Sequence, residues 1–108
     1  MKIKIPREIR VGAHKYKVVY WPDLGVDENL CGVSRHRKTV IGVDPVYNPT
    51  QQVQILLHET LHAIDRIYGC ELSEGNIDRI AEGLTDVLVD SFDVEFDWSD
   101  ITSDSKTP

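Results

Sequence analysis

A chain of 108 residues with 41% hydrophobic and 28% charged side chains has room for one small domain built around a single core. No apolar run approaches the roughly 18 residues that a membrane span needs, so a membrane partner is not expected. The net charge of −6 speaks against nucleic acid as a partner. Residues 1–49 do carry nine Lys or Arg against five acids, but without interleaved aromatics this reads as a solvated strand face.

In chain order, Lys2-Ile3-Lys4-Ile5 alternates as a half-buried strand does, and Pro6 ends it. Ile9-Arg10-Val11 and Tyr16-Lys17-Val18-Val19-Tyr20-Trp21 flank a Gly12-containing turn, which predicts a β-hairpin. A polar loop is expected through Asn29. Leu30 to Ser34 and Thr39 to Val43, joined by Arg35-His36-Arg37-Lys38, predict a second hairpin. The first half therefore reads as a small antiparallel sheet of three to four strands, and the fold class as α+β.

Asp44-Pro45 closes the sheet, and Asn48-Pro49-Thr50 opens a helix expected over 51–68, with Asn48 or Thr50 as its N-cap. Its expected core face carries Val53, Leu56, Leu57, Leu61, Ile64 and Tyr68. Gly69 suits the left-handed residue that ends a helix. Ser73 can cap a second helix over 74–90, with Ile77, Ala81, Leu84 and Leu88 as its apolar stripe. Residues 1–91 then form the domain and 92–108 an acidic C-terminal tail. Residues 90–108 hold six acids against one lysine, a balance of −5, which leaves −1 for the rest of the chain. In this tail Phe92, Val94, Phe96 and Trp98 alternate with acids, as in a strand with one apolar face, and residues 99–108 read as a frayed end.

The first helix contains His58-Glu59-Thr60-Leu61-His62. Residues i and i+4 share a helix face, so the two imidazoles converge on one point, as a zinc ion requires. Glu59, beside the first, is placed to act as the general base on a water activated by that metal. The wheel puts all three away from the core stripe. His14 and His36 fall in turns, where a surface role is expected. A catalytic zinc needs a third ligand, and Glu74, Asp78, Glu82 and Asp86 are the candidates. At 100° per residue Glu74 lies about 60° from the centre of the second helix's stripe and Glu82 about 140° away. Glu74 thus has the better direction, while Glu82 has the better height along a helical hairpin. A closed structural site would need a fourth ligand, from Cys70, Asp78 or Glu82.

The pattern from His58 to Asp65, then Leu72-Ser73-Glu74, Ile77, Ile80-Ala81, Gly83-Leu84, Val87-Leu88 and Asp90, resembles small phage-type zinc metallopeptidases. These are distantly similar to the ImmA/IrrE family. The resemblance runs over residues 1–91 and is specific over 55–91; the acidic tail falls outside it. It implies a minimal zincin-like domain that hydrolyses peptide bonds in a protein or peptide substrate. It also implies Zn2+ held by His58, His62 and Glu74, with Glu59 as the catalytic base. A gluzincin-type spacing keeps Glu82 as the alternative third ligand.

The remaining expectations concern the surroundings of this motif. Tyr47, Tyr68 and His36 are candidate oxyanion donors, with Tyr68 better placed in the core, and Asp65 can orient His62 or serve as a capping acid. The sheet edge at Thr39–Val43 can pair with an extended substrate. The alternative function is a non-catalytic metal-binding or interaction module acting through the acidic tail, or a tail folded over the cleft as an inhibitory strand. Cys31 and Cys70 lack CxxC spacing, and the first residues lack the apolar centre of a signal peptide. Reduced thiols and a cytoplasmic location, in a bacterial or phage-infected cell, are expected.

Overall fold

In a computed structural model describing residues 1–103, the chain forms six strands and three α-helices. Both predicted hairpins are present. Strands β2 (Glu8–Val11) and β3 (His14–Tyr20) pair antiparallel across Gly12, whose φ of 61° is the left-handed conformation that glycine adopts without steric cost. Strands β4 (Gly32–Arg35) and β5 (Val40–Val43) pair antiparallel in the same way. The sheet that joins the hairpins is not the expected antiparallel one. Its order is β2-β3-β5-β4, and β3 and β5 run parallel, with Lys17 beside Val40 and Tyr20 beside Val43.

The parallel step needs a crossover, and the loop after β3 supplies it. It contains a short helix, α1 (Leu24–Glu28), which the polar composition concealed. Leu24 is 1% exposed, and the buried Asp44 carboxylate at the end of β5 accepts hydrogen bonds from the main-chain N–H groups of Gly25 (3.0 Å) and Val46 (3.1 Å). A buried carboxylate is tolerable here because backbone donors replace its water. The crossover places β5 inside the sheet, so the open edge beside the helices is β4. The expected pairing edge at Thr39–Val43 is thereby corrected: β5 is flanked on both sides.

The long helix α2 spans Pro49–Tyr68. Asn48 Oδ1 accepts from Gln51 N at 2.9 Å while Gln51 Oε1 accepts from Asn48 N at 3.2 Å, a reciprocal cap that satisfies two of the helix's free donors. Gly69, at φ 63°, ends it. Its buried positions are Gln52, Val53, Leu56, Glu59 and Ala63. Leu57 and Ile64 flank the core, whereas Tyr68, expected inside, is 63% exposed.

The second long helix, α3, spans Glu74–Asp86, with Ser73 Oγ accepting from Asn76 N at 3.1 Å. It continues as a π-helical turn over Val87–Ser91. Ile77, Ala81 and Thr85 are buried, whereas Leu84, expected in the stripe, is 41% exposed. The core joins Val11, Tyr16, Val18, Ile41 and Val43 of the sheet to Val53, Leu56 and Ala63 of α2.

The acidic segment folds onto the body. Strand β6 (Glu95–Asp97) pairs parallel with β1 (Lys2–Lys4), matching Ile3 with Phe96. Trp98 and Ile101 belong to the core cluster, and Trp98 stacks on Tyr20 at 5.6 Å between ring centroids. Thr102 O then accepts from Tyr20 N at 2.9 Å. Residues 99–103 are therefore laid against the body, contrary to the expected frayed end; the part of that expectation covering 104–108 lies outside the described residues. None of residues 92–103 lines the cleft between the sheet edge and the helices, so the notion of an inhibitory strand over it is not realised among the described residues. No helix of the described residues is long and apolar enough to cross a membrane.

Candidate metal centre

A cleft of about 680 Å3 lies between β4, α2 and the start of α3. The half-buried imidazoles of His58 and His62, one turn apart on α2, face the first turn of α3 across it. Their Nε2 atoms are 3.2 Å apart. Glu74 reaches both: Oε1 is 2.8 Å from His58 Nε2 and Oε2 is 3.0 Å from His62 Nε2. Ser73 caps α3 one residue earlier, so the local rule that starts the helix also delivers Glu74 to the imidazoles. Among the described residues, His58, His62 and Glu74 are the one group of three His, Cys, Asp or Glu side chains placed to hold a metal ion.

A fourth side chain joins the cluster. His58 Nδ1 lies 2.8 Å from Asp78 Oδ1. A carboxylate only accepts, so Nδ1 carries a proton, and when Nε2 carries none it presents a lone pair. That lone pair faces another acceptor, Glu74 Oε1. Two acceptors at 2.8 Å are satisfied by a proton or a cation between them. The two Nε2 atoms, 3.2 Å apart, are close to the edge of about 3.3 Å for a tetrahedron with metal–ligand bonds near 2.0–2.1 Å, and one ligand atom from each of the three side chains lies within 4.8 Å of the others. Two nitrogens and one carboxylate oxygen fit the three-ligand donor set that leaves a fourth position open.

Glu59 is the buried member of the motif, only 9% exposed, although its wheel position predicted the open face. The reason is β4, which covers it. Ser34 Oγ is 2.6 Å from Glu59 Oε1 and 3.0 Å from the Glu59 main-chain oxygen. Gly32, two residues earlier, permits that approach: a Cβ there would run into Ile55 Cγ2 and come within 3.2 Å of Glu59 Cγ. Neither Ser34 nor Gly32 carried a sequence signal for this role beyond lying on a strand.

The other candidates disperse. Glu82 is exposed, stands outside the cluster and does not line the cleft. Cys70 is exposed and outside the cluster as well. Asp65 accepts from Leu72 N at 3.0 Å, so it caps the turn into α3 and does not orient His62. Of the three expected oxyanion donors, only Tyr47 lines the cleft. Its hydroxyl lies 3.1 Å from Cys31 Sγ, and that hydrogen bond is the main cause holding its phenol above the ordinary pKa. His36 is half-buried instead, 3.0 Å from Tyr16 OH through Nδ1. Burial, then Arg66 and His62, hold its pKa below the ordinary value, while burial raises that of Tyr16 against an opposing effect of Arg66. At neutral pH the pair is therefore a phenol donating to a neutral imidazole.

No protein-family model, no curated protein and no solved structure matches this chain.

Proposed function

We propose that the protein is a zinc-dependent metallopeptidase of the gluzincin type, with the activity implied by its resemblance to the ImmA/IrrE peptidases and a cytoplasmic site of action. The observation that carries this reading is that the two oxygens of Glu74 meet His58 Nε2 at 2.8 Å and His62 Nε2 at 3.0 Å, with the two nitrogens 3.2 Å apart, beside a buried Glu59. Zn2+ bound by these three side chains would lower the pKa of a coordinated water and polarise a substrate carbonyl. Asp78 holds the His58 ring in the tautomer that presents Nε2. Glu59 accepts the proton from the attacking water and passes it to the leaving amine as the C–N bond breaks. The open edge of β4, along Gly32–Arg35, can hold an extended peptide by main-chain pairing next to these groups.

A purely structural metal would be closed by a fourth protein ligand. Among the described residues only three side chains converge, with Asp78 engaged at His58 Nδ1. This favours the catalytic reading over the structural one. Two measurements test it together: zinc content of the purified protein, and hydrolysis of a quenched fluorescent peptide library by wild type and Glu59→Gln. The expectation is one zinc per chain in both, with hydrolysis lower by about 10²–10⁴ in the variant. Absence of stoichiometric zinc, or a variant that cleaves like wild type, overturns the proposal.

A further inference from the structure

We propose that Ser34, on the edge strand β4, is the positioning residue of the Glu59 base; this rests on the peptidase reading above. A glutamate has three rotatable side-chain bonds, and as a base it must present one oxygen in one direction. The 2.6 Å contact between Ser34 Oγ and Glu59 Oε1 lies in the short range of a hydroxyl donating to a carboxylate. The same Oγ lies 3.0 Å from the Glu59 main-chain oxygen, and its single proton goes to the nearer, charged Oε1. Oε1 is thereby occupied. Glu59 Oε2 has no protein hydrogen-bond partner among the described residues, which makes it the oxygen that takes the water's proton.

The contact is built into the backbone. Gly32 lets β4 close on α2 where any Cβ would meet Ile55. Ser34 follows two residues later on the same strand, where side chains again point to the same face. The strand that offers its edge to a peptide is thus the strand that aims the base. This ties substrate placement and proton transfer to one element.

The test uses the zinc-loaded protein and four variants: Ser34→Ala, Ser34→Thr, Glu59→Gln and the double variant Ser34→Ala/Glu59→Gln. A hydrogen bond to a charged group supports a fall in kcat of about ten- to a hundredfold for Ser34→Ala. KM, zinc content and the circular dichroism spectrum should stay unchanged. Ser34→Thr, which keeps the hydroxyl, should recover most of the loss. In single-turnover assays with excess enzyme, Ser34→Ala should cost nothing further once Glu59 is Gln, because the two residues act as one unit.

Wild-type kcat in Ser34→Ala with an inactive Glu59→Gln overturns this assignment and leaves the peptidase reading standing. A loss confined to KM or to zinc content also overturns it, as does an equal loss in the Glu59→Gln background. A Glu59→Gln variant as active as wild type removes both.

Discussion

His58 Nδ1 and Asp78 Oδ1 lie 2.8 Å apart and join α2 to α3 on the side of the ring away from Nε2. Glu74 and Asp78 are four residues apart, so one face of α3 supplies both the carboxylate at Nε2 and the carboxylate at Nδ1. The second contact fixes the tautomer that the first requires. Partners of this kind change metal affinity by about 10–100-fold. The Asp78 side chain is 63% exposed, so solvent screens much of its charge and its effect should come from orienting the ring. We expect Asp78→Ala to weaken zinc binding by about tenfold, the lower end of that range. Asp78→Asn, which keeps a carbonyl acceptor for Nδ1–H, should lose less. Competition with a chromophoric chelator measures both, and unchanged affinity in Asp78→Ala refutes the assignment.

The acidic segment 92–103 behaves as part of the domain. Trp98 is 9% exposed and stacks on Tyr20 with 16° between the ring planes, while its indole N–H finds no protein acceptor among the described residues. Trp98→Ala should lower stability by about 3–5 kcal/mol, the usual cost of deleting a buried large aromatic. Trp98→Phe keeps a stacked ring and removes the unpaired donor, so its loss should be much smaller. Urea denaturation followed by circular dichroism distinguishes the two. Equal stability of Trp98→Ala and wild type would mean that this segment does not support the core.

The contrast between legible and hidden features follows the range of the interactions. The Asn48 and Ser73 caps, the Gly69 stop and both hairpins depend on residues a few positions apart, and each is present. The spacing of His58, Glu59 and His62 is local as well. The parallel union of β3 with β5, and of β1 with β6, depends on segments separated by long stretches of chain; no periodicity encodes it. Glu59 illustrates the consequence for the site. Its wheel position alone predicts exposure, but a strand more than twenty residues earlier buries it through Ser34. Tyr68 shows the reverse: it continues the apolar stripe of α2, yet it lies in the last turn, where its ring edge meets the Gly12 turn of the first hairpin and most of the side chain faces solvent.

His36 gives a pH signature. Its folded pKa is held below the ordinary 6.5 by burial first, then by Arg66 and His62. A depressed folded pKa means that the unfolded chain binds the proton more readily. The stabilising contribution is complete above about pH 6.5 and is lost as the pH falls through that value toward the folded pKa. Wild-type protein stripped of metal should therefore lose stability on going from pH 7.5 to 5. His36→Gln, whose side-chain carbonyl can still accept from Tyr16, should lose less over the same interval. Thermal melts of both proteins across that window provide the check. Parallel pH profiles would show that His36 titrates alike in the folded and unfolded chains.

If the protein is the peptidase proposed above, the cleft walls predict which peptides it prefers. Leu30, Val33 and Ile55 form an apolar side, and Glu59, Glu74 and Asp78 supply carboxylates; among the described residues no Lys or Arg lines the cleft. A substrate side-chain carboxylate entering it would lose water and meet like charges, with no Lys or Arg of the described lining to compensate it beside the Zn2+ proposed for the scissile carbonyl. An apolar side chain would instead be buried against Leu30 and Ile55. Peptides with Leu or Phe next to the scissile bond should have kcat/KM at least about tenfold above those with Asp or Glu there, a difference worth only about 1.4 kcal/mol. Leu30 is 40% exposed at the cleft wall, so Leu30→Lys can add a cation without emptying the core. This variant should narrow the ratio by favouring the acidic peptides. A wild-type enzyme that prefers acidic peptides, or a ratio unmoved by Leu30→Lys, would place the discriminating contacts elsewhere.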